Sequence, residues 1–173
     1  VSLLEKNKTN YEEKILSQAE LLEKVERLRA EGKTIATLNG SFDLLHAGHL
    51  YMLQQAALQA DILVLLLNTD DSIKRYKSQD RPIVPLDGRQ KMVAALEMVD
   101  LVSSFSEDDP RQILAKIAPD VHVNGAEYGE SCIEKETVEQ GGGALHIVKL
   151  VPGLSTSAII QKIRELNAPD RNS

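Results

Sequence analysis

The stretch TIATLNGSFDLLHAGHLYMLQQAALQADILVLLLN, residues 34–68, changes its period twice. TIATLN (34–39) reads as a strand, and ILVLLLN (62–68) is apolar throughout, as a strand covered on both faces is. Between them HAGHLYMLQQAALQA (46–60) reads as a helix. Strand, turn, helix and strand make the repeating unit of a parallel sheet. The turn feeds a helix N-terminus, which presents unpaired N–H groups and the positive end of the helix dipole to an anion. Gly40 permits a tight turn there, and Gly48 permits close approach of a ligand to the backbone. Two of the four histidines in the chain, His46 and His49, stand three apart and so share one helix face. Both can donate to phosphate oxygens. Three other readings stay open from spacing alone. Paired histidines can ligate a metal, but no Cys or acidic partner stands at a usual zinc spacing, so no metal centre is expected. They can cap the helix, or serve a nucleophile, although no Gly-x-Ser-x-Gly elbow is present.

The same alternation continues outward from this unit. Strands are expected at 101–105, 121–124 and 144–149, and helices at 87–99, 108–118, 133–140 and 155–166. Asp109 and Ser155 are the expected N-caps of the second and the last of these helices. Ahead of the repeats, SQAE (17–20) is a capping box for a helix with Leu21, Leu22, Val25 and Leu28 on one face, ended by Gly32. The pattern predicts an α/β fold: a doubly wound, Rossmann-like, parallel five-stranded sheet with helices on both faces and an extra N-terminal helix. Residues 1–16 read as a flexible segment, 17–167 as a single domain and 168–173 as a frayed tail. In such a sheet ligands bind at the carboxyl ends of the strands, where the turn at 40–46 lies.

Composition narrows the function. Aromatics are only 3% of the chain, so the core must be aliphatic. A net charge of −6 argues against nucleic acid as a partner, and no run approaches the length of a membrane span. One cysteine, Cys132, and a polar start without a leader pattern lead to the expectation of a cytoplasmic protein. An anionic small ligand then needs a local basic pocket, and KRYKSQDR (74–81), which reads as a basic loop, gathers Lys74, Arg75, Lys77 and Arg81. His122 and His146 lie within apolar strands and read as structural.

At this point GSFDLLHAGH (40–49) resembles the His-x-Gly-His signature of the HIGH-motif nucleotidyltransferase superfamily, the cytidylyltransferase-like group. LSTSAII (154–160) resembles its second motif, a Ser-Thr-rich helix start. NTDDSIKRYKSQDRPIVPLDGR (68–89) and DVHVNGAEYGE (120–130) are similar to one branch, the D-glycero-D-manno-heptose 1-phosphate adenylyltransferases, which also occur as the second domain of bifunctional heptose enzymes. The resemblance implies transfer of AMP from ATP to a sugar 1-phosphate, giving ADP-heptose and pyrophosphate by in-line attack on the α-phosphorus. It implies Mg²⁺ as the companion of ATP, a homodimer as a common assembly, and a place in bacterial surface polysaccharide (lipopolysaccharide) synthesis.

Roles follow by position within that resemblance. His46, His49 and Lys77 would be catalytic. Gly40, Ser41, Phe42, Gly48, Asn124, Gly125, Ser155, Thr156 and Ser157 would bind ATP. Lys74, Arg81 and Arg89 are further cations for a substrate phosphate, with Arg89 alternatively pairing with Asp87 or Glu97. Asp43 would hold the turn or orient a magnesium-bound water. The sequence departs from the branch at VNGAEY (123–128), where Asn124 replaces a lysine and Glu127 an aspartate. LVPGLST (150–156) lacks the Arg-Thr pair that helps sister enzymes read cytosine, which favours adenine. The alternatives are a cytidylyltransferase, another nucleotidyltransferase acting on glycerol 3-phosphate or FMN, and a non-catalytic nucleotide-binding subunit.

Overall fold

In a computed structural model of the chain, residues 10–126, 129, 132–149, 153 and 155–166 are described. Glu127, the expected frayed tail and most of the expected flexible start lie outside them. Five strands, β1 (Ile35–Gly40), β2 (Ile62–Asn68), β3 (Leu101–Phe105), β4 (Val121–Gly125) and β5 (Ala144–Val148), form one parallel sheet in the order 3-2-1-4-5. Order reverses at β1, so the switch point lies between β1 and β4. The helices are α1 (Gln18–Ala30), α2 (Ala47–Ala57), α3 (Asp70–Tyr76), α4 (Leu86–Ala94), α5 (Arg111–Ile117), α6 (Lys135–Gln140) and α7 (Thr156–Leu166).

The uniformly apolar β2 shows why the sheet needs cover on both sides. Leu63, Leu65 and Leu67 join a cluster with Leu53 and Ala56 of α2 and Val93 and Ala94 of α4. Val64 and Leu66 join the opposite cluster, with Leu21 and Val25 of α1, Ile113, Leu114 and Ile117 of α5, and Val138 of α6. Period-two alternation therefore sorts one continuous apolar run onto two cores. The Ser17–Glu20 capping box forms in both directions, and the apolar face of α1 is committed to this second core.

Four expectations need correction. Residues 10–16 pack rather than wander. A 3-10 turn at Tyr11–Lys14 lets the Lys14 ammonium donate to the carbonyls of Leu96 (3.2 Å) and Val99 (2.7 Å), and Ile15 bridges to Val102. The first half of the basic segment is helix α3, started by the Thr69 hydroxyl accepting from the Ser72 amide and buried at Ser72 and Ile73. The helix expected at 87–99 ends at Ala94, and carbonyls beyond it are those that Lys14 covers. Pro110, not Asp109, is the cap residue of α5, although the Asp109 carboxylate still accepts from the Arg111 amide at 3.0 Å.

His122 is a structural histidine with a cost in acid. It is fully buried on β4, its Nδ1 2.8 Å from the Thr37 hydroxyl, its Nε2 without a partner among the described residues. Burial pushes its pKa down to about 4, so the folded chain keeps it neutral. As pH falls from the unfolded value of about 6.5, the unfolded chain takes the proton first, and stability is lost until the folded group titrates near 4. The loss across that window should approach about 3 kcal/mol. Urea midpoints measured from pH 7 to 4 should fall more steeply for the wild-type chain than for His122→Val. Parallel curves would show that another group controls the acid limb.

Candidate active site

The carboxyl ends of β1 and β4, the start of α2 and the start of α7 enclose a cavity of about 320 Å³. Leu38, Asn39, Gly40, Ser41, Phe42, Asp43, His46, Gly48, His49, Met52, Lys77, Arg81, Asn124, Gly125, Ser155, Thr156 and Ser157 line it. Every residue expected to be catalytic or to bind ATP is therefore on one wall or another of a single space. Those residues come from four separate parts of the chain, and only the βα topology brings them together.

The turn after β1 is built to hold the helix end open. Phe42 has a left-handed φ of 46°, uncommon for a residue with a large side chain, and its ring is buried. A Cβ at position 40 would lie 3.0 Å from that ring, so a larger residue there would push Phe42 from its place under the turn. His46 occupies the N-cap of α2 in extended backbone, but its side chain makes no capping bond. The capping reading of the histidines is thereby removed. The His46 and His49 rings are 3.9 Å apart between centroids, and both Nδ1 atoms are buried without a partner among the described residues. Burial lowers both pKa values; for His49 burial, then His46 and Lys77, bring it to about 4. Both shifts favour the neutral ring, which carries one N–H donor. A phosphate beside them would favour their protonation, because an anion stabilises the charged form.

Opposite the rings, the Lys77 ammonium donates to the Ser41 hydroxyl at 2.9 Å, and the Tyr76 hydroxyl lies 2.6 Å from the same oxygen. Burial, with Arg81 next, pulls Lys77 below its ordinary value, while burial raises Tyr76 and keeps it a phenol. Tyr76 and Asn39 were not among the expected site residues. Tyr76 was obscured by the charges around it, and Asn39, the last residue before the glycine turn, carried no distinguishing signal.

Asp43 is 4% exposed, and its carboxylate accepts from Arg81 Nε (2.6 Å) and from the amides of Ile83 (2.8 Å) and Val84 (2.8 Å). Burial alone would raise its pKa, but these donors outweigh it and hold it below the ordinary value. Asp43 thus braces the turn against the segment at 81–84, and no oxygen of it is left over for a metal-bound water. Arg81 lines the cavity with one edge of its guanidinium engaged. Lys74 points elsewhere, 3.8 Å from Asp71. Arg89 is the clearest departure. It is fully buried and donates to the carbonyls of Ser41 (2.6 Å), Asn68 (2.8 Å) and Val84 (3.0 Å) and to the Asp70 carboxylate (2.7 Å). Its partner is neither Asp87 nor Glu97, and it has no face on the cavity. At the far wall, the Thr156 hydroxyl donates to the Leu44 carbonyl (3.3 Å), and the Ser155 hydroxyl caps α7 through the Ala158 amide (3.1 Å). The start of α7 is thereby tied to the histidine loop. Among the described residues no three His, Cys, Asp or Glu side chains converge as a metal cage. Among them also, no helix is long and apolar enough to cross a membrane.

Fold and cavity together define a doubly wound domain with a cavity at its switch point. The chain belongs to the cytidylyltransferase-like family, whose model matches residues 37–162. It is 42% identical over 152 residues to the bifunctional protein HldE of Alcanivorax borkumensis, covering 87% of this chain and 32% of that protein. The bifunctional protein HldE of Pseudomonas aeruginosa strain LESB58 is likewise 42% identical over 152 residues, with the same coverage. The chain thus spans about a third of the length of these relatives. Among solved structures, the lipopolysaccharide core biosynthesis protein from Thermoplasma volcanium GSS1 shares the fold, with a TM-score of 0.57 at 24% identity over 69% of this chain and 98% of that one.

Proposed function

We propose that the chain is an adenylyltransferase that moves AMP from Mg·ATP to D-glycero-D-manno-heptose 1-phosphate, releasing pyrophosphate and ADP-heptose. The observation that carries this reading is the meeting of His46 and His49, at the positive end of α2, with Lys77 and the Ser155–Thr156–Ser157 helix start around one cavity. An oxygen of the sugar phosphate attacks the α-phosphorus, the bond from α-phosphorus to the bridging oxygen breaks, and the electron pair leaves with pyrophosphate. No covalent enzyme intermediate is required. The chain's work is positioning and charge stabilisation. The free N–H groups of His46 and His49 donate to phosphate oxygens as charge shifts toward the leaving group. Lys77 offsets the charge of the incoming phosphate. Ser155, Thr156 and Ser157 hold the far phosphates at the α7 N-terminus. Magnesium would enter with ATP, held by the phosphates, since the Asp43 carboxylate is engaged by Arg81 and two amides.

The test is pyrophosphate release with Mg²⁺, crossing ATP and CTP against heptose 1-phosphate, other sugar 1-phosphates and glycerol 3-phosphate. Release with ATP and heptose 1-phosphate is the expected result. Release only with CTP, or only with another acceptor, would move the chain to a sister activity on the same chemistry. Silence throughout would favour a nucleotide-binding subunit.

A further inference from the structure

Asn124 is where this sequence parts from the branch it resembles, and its setting fixes which end of its amide is offered to a ligand. It is 4% exposed near the end of β4 and lines the cavity. Its Nδ2 donates to Oε2 of Glu134 at 3.3 Å. Glu134 stands just before α6, is 6% exposed, and its carboxylate has Asn124 as its hydrogen-bond partner among the described residues.

A carboxylate can only accept, so it must take the NH₂ end of the amide. The end left over is Oδ1, a directed, neutral acceptor turned away from Glu134. A lysine at 124 would have offered a mobile positive donor instead. A buried carboxylate is an unfavourable neighbour for a polyphosphate, and its presence here makes sense if its work is to orient the amide. Position says which ligand the amide meets. The Lys77 ammonium sits at the turn after β1, on the Ser41 hydroxyl, while Asn124 lines the cavity from near the end of β4, the neighbouring strand. With Lys77 assigned to the attacking phosphate, the β4 wall is left for the nucleotide.

We propose that Asn124, oriented by Glu134, selects the nucleotide by accepting a hydrogen bond from a neutral donor on it, an exocyclic amino group or a ribose hydroxyl. Asn124 is the binding residue and Glu134 the positioning residue. The inference rests on the nucleotide reading of the cavity. Glu134→Gln keeps the shape but lets the paired amides meet either way round, so the direction of Asn124 is no longer fixed. Asn124→Ala removes the acceptor.

The experiment is calorimetric titration of the 173-residue chain and both variants with the magnesium complexes of ATP, inosine triphosphate, 2′-deoxy-ATP and 3′-deoxy-ATP, with folding checked by circular dichroism. Wild type should prefer ATP over one of the three analogues by about tenfold or more, and both variants should lose that preference mainly through weaker ATP binding. Loss against the inosine nucleotide assigns the amino group; loss against a deoxynucleotide assigns that hydroxyl. If Glu134→Gln does not fold, the selectivity of Asn124→Ala decides between the same outcomes. Wild-type ATP binding without discrimination, or folded variants that keep wild-type selectivity, would overturn the inference and leave adenylyl transfer standing. A wild-type chain that binds none of the four would overturn both.

Discussion

His46→Ala and His49→Ala should each lower turnover about a hundred- to a thousand-fold, the loss of roughly 2.7–4 kcal/mol that follows removal of one well-placed donor to a charged transition state. The loss should fall on kcat more than on KM. The rings meet charge that develops as the α-phosphorus is attacked, and an interaction made mainly in the transition state is read in kcat. Stability should change little for His46→Ala, because the ring makes no capping bond and its Nδ1 has no partner among the described residues. His49→Ala should cost somewhat more, since its ring packs 5.2 Å from that of Phe42 between centroids. Asn at either position retains an N–H donor and should recover part of the rate. Steady-state kinetics beside thermal melts separates these effects. Near-normal kcat in both alanine variants would remove the histidines from the chemistry.

The histidines were legible in the sequence because their message is local. A glycine turn, two residues at helix spacing and a strand on either side all lie within one βα unit, and that unit fixes where the pair faces. Strand ILVLLLN was legible for the same reason: an unbroken apolar run of strand length is stable only between two covered faces. The capping box of α1 needs only four consecutive residues. What was hidden depends on distant partners. Helix α3 buries only Ser72 and Ile73, so its charged exterior reads as loop. Lys14 looks like any surface lysine until the carbonyls after α4, more than eighty residues on, are placed above it. Asp43 looked able to hold a metal-bound water, because nothing near it in sequence shows that Arg81 and two amides converge on its oxygens. Asn124 was visible as a departure, but its meaning depends on Glu134, which the sequence alone did not single out.

Arg89 is the case in which the sequence left two roles open, phosphate ligand or ion-pair partner, and substitution tells them apart. As a phosphate ligand it would be dispensable to the fold. In the structure it is a brace: one guanidinium ties the end of the β1 turn at Ser41, the end of β2 at Asn68, the Asp70 carboxylate and Val84 ahead of α4. Arg89→Met keeps much of the volume but strands three carbonyls and a carboxylate that is 34% exposed. Breaking a buried, hydrogen-bonded charge pair typically costs about 3–5 kcal/mol. For a domain of this size that is a fall in Tm of roughly 6–20 °C. Arg89→Lys keeps the charge but cannot reach four acceptors from one ammonium, so it should fall between Met and wild type. Asp70→Asn should cost least, since the three carbonyl bonds survive. Because Ser41 is among the tied groups, turnover should fall with stability in the same order. Arg89→Lys with wild-type Tm and abolished turnover would be the signature of a phosphate ligand and would overturn the brace. The buried geometry predicts the reverse: the melting temperature moves in every Arg89 variant, and turnover measured well below it falls only as far as the Ser41 turn loosens.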